Sequence, residues 1–224
     1  MSNQDRSNTT KKSTVYVALI TALAIIIGSV ILGLGGQTTP QEPTPDAAPA
    51  VELPNAGITE SNKATISFTT NQGEIVVETT PALAPLTVNA MAALAQKNYF
   101  DNTICHRLTT EGIFVLQCGD PTGTGTGGPG FNIPDENLPQ PIDNNYPAGT
   151  VAMANSGLPG TSGSQFFLVY QDTTLGPDYT IWGTITTGLD VVKKIASGGL
   201  IEENPNGGPP VIGVTIESTT VTIS

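Results

Sequence analysis

The chain has 224 residues, enough for one domain of roughly 150 to 200 residues with appendages. Charged residues make up 12% of it, with 25 glycines and 18 prolines, which disfavours helical bundles and favours a loop-rich β architecture. Eight basic and 19 acidic residues give a net charge of −11, so the basic surface that nucleic-acid binding needs is excluded. One histidine and two cysteines cannot supply a structural zinc site, and we expect no metal.

The N-terminal region carries an apolar segment, residues 15–35, which contains no charged residue. Its core, Val15–Leu34, is long enough to cross about 30 Å of hydrocarbon as a helix. Lys11 and Lys12 precede it, so the positive-inside rule predicts a single-pass plasma-membrane protein with residues 1–14 in the cytoplasm and the remainder outside. The alternative is a cleaved signal peptide, whose apolar region is usually shorter.

Residues 36–61 form a proline-rich stretch with four acidic residues and no aromatic residue. Such a composition cannot bury enough apolar surface to fold, which predicts a disordered tether between the membrane and the rest of the chain. The folded domain is therefore predicted over residues 62–224.

Short strands separated by turns are the pattern of this domain. Ala64–Thr70 and Glu74–Thr79 are predicted to form a hairpin. The other predicted strands are Thr103–Leu108, Phe114–Cys118, Gly149–Ala154, Gln165–Tyr170, Thr180–Thr186 and Val211–Ile223. Helices are predicted over Pro85–Lys97, with Leu86, Ala90, Ala93 and Leu94 on one face, and over Leu189–Ala196. Eight strands and two helices indicate a mainly β fold, a closed barrel with helices at its ends.

Two motifs have ordinary interpretations. The glycine run 123–130 matches a dinucleotide-binding pattern, but prolines and acidic residues follow it instead of a helix, so we interpret it as a surface loop. His106 is the one histidine of the chain, and no nucleophile motif accompanies it. We therefore interpret His106 as a hydrogen-bonded structural residue and not as a base.

Cys105 and Cys118 end two strands that are predicted to pair as a hairpin, in a domain predicted to face an oxidising exterior. A disulfide between them is a hypothesis at this stage, and two free thiols are the alternative.

Arg107 is one of two arginines in the chain, and it is predicted to lie among apolar side chains of neighbouring strands. The segments Cys105–Asp120 and Met153–Phe167 place it with phenylalanines and the amides of Gln117 and Gln165. One interpretation is a partly buried arginine paired with an acid. The other is a hydrogen-bond donor fixed beside an apolar pocket.

These two segments resemble the cyclophilin family of peptidyl-prolyl cis-trans isomerases, and the resemblance extends over about residues 63–223. The family's Phe-His-Arg strand is matched by Cys105-His106-Arg107, and its Phe-Met-x-Gln-Gly-Gly-Asp stretch by residues 114–120. Met153-Ala154-Asn155 and residues 163–167, Gly-Ser-Gln-Phe-Phe, match two further family stretches. The resemblance implies an eight-stranded antiparallel barrel capped by two helices.

The resemblance also implies which residues form the active site. Arg107 would be the catalytic residue and Gln117 its orienting partner. The substrate-binding residues implied are Phe114, Val115, Phe167 and Leu175 in the proline pocket, with Ala154, Asn155, Ser156, Gln165 and Tyr179 around it. The implied partners are proline-containing unfolded or flexible protein segments, no cofactor is needed, and we expect a monomer. A non-catalytic module or holdase that binds proline segments is the alternative function.

The sequence departs from the family pattern at a few positions. Two extra residues lie between Arg107 and Phe114, so the loop before Phe114 is longer than usual. Val115 replaces a methionine, Ser156 replaces an alanine, and Tyr179 stands where many members have histidine. Thr174 stands where members sensitive to cyclosporin carry a tryptophan, which implies weak binding of that drug.

Overall fold

The computed structural model describes residues 52–224, so the predicted tail, membrane segment and most of the predicted tether lie outside the described residues. Within residues 52–224, neither helix is long and apolar enough to cross a membrane. The helices are α1 (Pro85–Gln96) and α2 (Leu189–Ser197). The strands are β1 (Ala64–Thr70), β2 (Gly73–Thr79), β3 (Thr103–Ile104), β4 (Arg107–Leu108), β5 (Val115–Cys118), β6 (Thr150–Met153), β7 (Phe166–Val169), β8 (Ile181–Thr187) and β9 (Thr215–Ile223).

All nine strands form one curled antiparallel sheet in the order β3-β9-β1-β2-β8-β6-β7-β5-β4. The predicted count of eight is wrong because Thr103–Leu108 is not one strand: β3 pairs with β9, β4 pairs with β5, and Cys105-His106 joins them. The prediction of a closed barrel is also wrong. Strand pairing ends at β3 and β4, and the covalent chain, not a ladder of hydrogen bonds, connects these two edges.

The main hydrophobic core lies on the concave face of this sheet. Strand β1 alternates buried and less buried residues, as its sequence predicts, and places Ile66 and Phe68 inside. Phe68 packs against Phe100 and Phe166 with ring centroids 6.1 and 5.2 Å away, and the ring of Trp182 lies 5.9 Å from Phe166. These ring contacts join residues that lie far apart in sequence, so long-range packing builds the core.

Helix α1 is buried on nearly all sides, from Thr87 to Ala95. Pro85 begins it, where a missing N–H costs nothing. Glu136, from a distant loop, caps its N-terminus: its carboxylate accepts from the backbone amides of Leu86 and Thr87 at 3.0 and 2.8 Å. Leu86 itself is 45% exposed, which corrects its predicted place on the buried face. Helix α2 lies where it was predicted and buries Val192 and Ile195.

The chain before β1 also contacts the domain. Ile58 is buried, and its backbone exchanges two hydrogen bonds with the side-chain amide of Asn89 on α1, at 2.9 and 2.8 Å. Leu53 packs against the same core. This end of the predicted 36–61 tether therefore differs from the prediction, since a buried asparagine that binds one backbone group twice holds the chain in place.

A second, smaller hydrophobic cluster lies on the convex face. Strands β6 and β7 are buried at every position, which is unusual for a sheet with one face towards solvent. Tyr146 and the segment that ends at Ile181 cover them, and together with Val115, Ala152, Phe167 and Val169 they form the cluster. The middle of the sheet therefore has a packed apolar surface on both sides.

A disulfide joins Cys105, next to the end of β3, to Cys118, the last residue of β5. Both cysteines are buried, with 3% and 1% of their surface exposed. Because Cys105 lies in the bend between β3 and β4, the bond ties the point where the sheet edges meet to β5.

We expect reduction of this disulfide to lower the free energy of unfolding by about 3 kcal/mol, the entropic value for a loop of this length. Urea unfolding of the oxidised protein and of protein reduced in denaturant and refolded in reductant measures the difference. Thiol titration of the denatured, unreduced chain is the control, and two reactive thiols per chain would contradict the bond.

Candidate active site

The convex face carries a row of side chains that crosses four strands. Arg107 on β4 pairs with Gln117 on β5, which pairs with Phe167 on β7, which pairs with Ala152 on β6. Directly paired residues of neighbouring strands point to the same side of a sheet. A cation, an amide and an aromatic ring therefore stand side by side, with the backbones of Arg107 and Phe167 about 10 Å apart.

A continuous hydrogen-bond chain fixes the polar part of this row. The guanidinium Nη1 of Arg107 donates to Oε1 of Gln117 at 3.0 Å. Nε2 of Gln117 donates to Oε1 of Gln165 at 2.8 Å, and Nε2 of Gln165 donates to the carbonyls of Gly125 and Gly127 at 3.0 and 2.9 Å. Because a guanidinium can only donate, both glutamine amides must point in the directions observed.

Arg107 is half-buried, and its other contact is with a backbone group. Its Nε donates to the carbonyl of Asn206 at 2.8 Å. Within residues 52–224 no hydrogen bond engages its Nη2, so two donors of that group are free for a ligand. Burial lowers the pKa of the guanidinium and nearby Tyr179 raises it, but arginine starts so high that it stays charged at any physiological pH. The interpretation of Arg107 as a fixed donor therefore fits the geometry better than an ion pair.

The apolar part of the site is the convex-face cluster. Val115 and Phe167 form its floor and are almost fully buried, and Leu175 and Tyr179 pack over them. The ring of Tyr179 meets that of Phe167 edge to face with centroids 5.5 Å apart. The structure thus brings these four predicted pocket residues together.

Two residues that sequence reasoning missed hold the covering segment. The Asn145 side chain binds the backbone N–H and C=O of Leu175 at 3.0 and 2.9 Å. The Tyr146 hydroxyl accepts from the amide of Tyr179 at 3.1 Å, and burial raises the pKa of that hydroxyl to about 12. The sequence does contain a signal for these residues, an aromatic residue directly after two asparagines in a predicted loop. The prediction relied on alternation along strands, which does not reveal residues in loops.

Phe114 is the predicted pocket residue that lies elsewhere. It packs against the concave core, and its ring lies 5.9 Å from that of Tyr170. It also lines a groove of about 640 Å³ beside α2, and none of the other predicted binding residues lines this groove. Since neighbouring residues of a strand face opposite sides, Phe114 and Val115 cannot both line the convex face, and the longer loop before Phe114 permits this arrangement.

A groove of about 650 Å³ adjoins Gln117 and includes the remaining predicted binding residues, Ala154, Asn155, Ser156 and Gln165. The side chain of Asn155 is occupied, since its amide donates to the carbonyl of Asp178 at 2.8 Å and its oxygen accepts from the amide of Gly157 at 2.9 Å. The backbone N–H and C=O of Asn155 make no hydrogen bond within residues 52–224. An extended peptide could therefore pair with the backbone of Asn155.

The glycine run 123–130 is a loop, as predicted, and the buried carboxylate of Asp120 organises it. Burial alone would raise the pKa of Asp120. Hydrogen bonds from the hydroxyl and amide of Thr122 and from the amides of Gly127 and Gly125 outweigh it and lower the pKa to about 2. Asp120 thus holds the loop in which the carbonyls of Gly125 and Gly127 accept hydrogen bonds from the side-chain amide of Gln165.

His106 lies against the same loop, but not as predicted. Both of its ring nitrogens are buried without a hydrogen-bond partner, so the interpretation as a hydrogen-bonded structural histidine is wrong. Burial lowers the pKa of His106, with Asp120 acting in the opposite direction, which favours the neutral ring. Within residues 52–224 no group of three potential ligands lies close enough to hold a metal ion.

Comparison with known proteins identifies the domain. Residues 65–221 match the model of the cyclophilin type peptidyl-prolyl cis-trans isomerase family. The chain is 47% identical over 205 residues to a probable peptidyl-prolyl cis-trans isomerase B of Mycobacterium leprae, covering 85% of this chain and 68% of that protein. It is 44% identical over 192 residues to the protein of the same name in Mycobacterium tuberculosis, covering 79% of this chain and 61% of the relative.

The chain belongs to the cyclophilin family. A crystal structure of a cyclophilin type isomerase from Cryptosporidium parvum matches with a TM-score of 0.61 at 28% identity, covering 71% of this chain and 98% of that chain. A second structure of that protein, in the presence of the dipeptide Ala-Pro, has a TM-score of 0.60, with 28% identity over 70% of this chain and 98% of that chain. The resemblance drawn from the sequence is therefore confirmed, and residues 65–221 form a cyclophilin-type isomerase domain.

We expect Asp120→Asn to destabilise the cyclophilin domain by about 2 to 3 kcal/mol at neutral pH, because the folded carboxyl has a pKa of about 2 and an unfolded one about 3.9. The depressed pKa stabilises the fold above about pH 4, and this contribution disappears as the pH falls through 2. Urea unfolding of both proteins across this range measures it.

The exposed Asp143→Asn is the matched control, since it removes the same charge from a surface position. A stability difference between Asp120→Asn and wild type that is equal at pH 7 and pH 2 would contradict the role of the charge.

Proposed function

We propose that this domain accelerates rotation about X-Pro peptide bonds by a non-covalent mechanism in which Arg107 is the catalytic residue. The observation that carries the proposal is a charged guanidinium, fixed at Nε and Nη1, with a free Nη2 group beside an apolar cluster. The chain spans 61% to 68% of the length of the mycobacterial relatives, so substrates and partners of the whole protein are part of this proposal.

The chemistry requires no bond to form or break. Rotation about an X-Pro bond faces a barrier of about 20 kcal/mol, because amide resonance must be lost in the twisted state. As resonance is lost, the lone pair localises on the proline nitrogen, which becomes a hydrogen-bond acceptor. Favouring the twisted amide by about 7 kcal/mol over the planar one would accelerate rotation roughly 10⁵-fold.

Each part of the site has a role in this scheme. The guanidinium of Arg107 donates to the proline nitrogen as the amide twists, and Gln117 holds the guanidinium in place. Val115, Phe167, Leu175 and Tyr179 hold the apolar proline ring. The residues before proline pair with the open backbone of Asn155 in the groove beside Ala154 and Gln165. No cofactor takes part in this mechanism.

We expect Arg107→Ala to reduce catalysed X-Pro exchange at least about tenfold, a barrier change of roughly 1.4 kcal/mol. Arg107→Lys should lose nearly as much, because the lysine ammonium keeps the charge but carries its donors on one nitrogen and lacks the planar fork that meets Asn206, Gln117 and substrate at separate positions. NMR exchange spectroscopy of a short proline peptide with each full-chain protein gives the rates.

Lys97→Ala is the matched control, since it removes an exposed positive charge at the end of α1. If wild-type protein binds the peptide without changing the exchange rate, the domain is a recognition module and the catalytic proposal fails.

We also propose that the domain acts outside the plasma membrane, held there by residues 15–35. The composition of residues 15–35, the lysines before them and a disulfide in the domain all favour this location. The clients would be proline-containing segments of proteins that emerge unfolded on that side.

Protease added to intact cells stripped of their wall should therefore cleave within residues 36–51 and release a soluble fragment that contains the domain. A domain that stays protected until the cells are lysed would contradict the outward location.

A further inference from the structure

The loop of residues 199–211 lies beside β4 and supplies, through the carbonyl of Asn206, the acceptor for Nε of Arg107. Its two ends pair with each other, since the amide of Val211 donates to the carbonyl of Gly199 at 2.9 Å. Residues 201–206 at its tip are exposed to solvent. An exposed loop that reaches a half-buried cation through its backbone needs an explanation.

The loop is attached to the strand that carries Arg107. Leu108 and Gly208 form an antiparallel bridge, with hydrogen bonds of 2.8 Å from the Leu108 amide and 3.0 Å from the Gly208 amide. At the tip, the Asn204 side chain accepts from the amide of Asn206 at 2.9 Å and the Asn204 carbonyl accepts from that of Gly207. Hydrogen bonds of the amides on either side of the Asn206 carbonyl therefore hold it in position for its contact with Arg107.

The contact between Asn206 and Arg107 helps to fix the direction in which the free Nη2 donors point. Nε and Nη1 lie at different corners of the rigid guanidinium plane, and Asn206 and Gln117 bind one corner each. Two such bonds determine the orientation of the plane, whereas one would leave it free to swing. The direction of the free Nη2 group therefore depends on the loop as much as on Gln117.

We propose that the 199–211 loop is a positioning element for catalysis, in which the Asn206 carbonyl holds the guanidinium of Arg107 in its productive orientation. The proposal rests on the function proposed above. Asn206 is a positioning residue, because its carbonyl acts on the reaction through Arg107 and not on the substrate.

Gly207 offers a direct way to move this carbonyl. Its φ is +79°, which residues with a side chain rarely adopt, and a Cβ there would clash with the carbonyl oxygen of Leu108 and lie 2.6 Å from Cγ2 of Thr109. Gly207→Ala must therefore shift the loop away from β4. Gly213→Ala is the matched control, because Gly213 lies outside the loop and a Cβ there meets nothing within 4 Å.

We expect Gly207→Ala in the full chain to lower kcat for a proline peptide about tenfold with little change in KM, since the groove and pocket are not altered. Gly213→Ala should retain wild-type kcat. The Nε–H signal of Arg107 in ¹⁵N NMR should exchange faster with water in Gly207→Ala than in wild type, and at the wild-type rate in Gly213→Ala. The chain has two arginines, so the signal that disappears in Arg107→Lys assigns it.

Asn204→Ala keeps the test decisive if Gly207→Ala does not fold. It removes an exposed side chain whose oxygen holds the Asn206 amide, and we expect a smaller loss of kcat, about threefold, with faster Nε–H exchange. Unchanged kcat in a variant whose Nε–H has lost protection would overturn the positioning role. An inactive wild type would instead overturn the proposed function itself.

Discussion

The organisation of the site depends on a cation that is taken partly out of water. Burying Arg107 removes hydration from its guanidinium, so the protein must supply acceptors, and it supplies an amide oxygen from Gln117 and a backbone carbonyl from Asn206. Because arginine has no acceptor, its presence fixes the direction of every amide down to the carbonyls at Gly125 and Gly127. The loops of residues 123–130 and 199–211 are therefore both connected to the charge of Arg107 by hydrogen bonds.

The same strands serve the core and the convex face that we propose binds substrate. On β5, Leu116 and Cys118 face the concave core, while Val115 and Gln117 face the convex side. The residues that support the pocket are therefore the backbone neighbours of the residues that form it. Tyr146, fully buried in a loop, holds the segment that covers this part of the sheet through its hydrogen bond with Tyr179.

Local patterns predicted much of this fold, and long-range contacts account for what they missed. The hairpin of β1 and β2 was predictable because alternation and a tight turn are local signals. The break at His106 was not, because β3 and β4 pair with strands far apart in sequence. The motif around Arg107 located the polar row correctly. Phe114 and Ile58 were misplaced, since contacts with Tyr170 and with a buried asparagine on α1, both distant in sequence, hold them.

Alternation also determines where this chain can change in length during evolution. An extra residue in β5 before Leu116 would turn Gln117 into the core and Leu116 towards the groove, because every residue that follows the insertion in the strand changes face. The same extra residue between Leu108 and Val115 would lie in the loop and leave the pairing of β4 with β5 intact, as the two extra residues there do. Insertions and deletions should therefore accumulate in the loops around Arg107, while the four strands of the row keep a constant length across relatives.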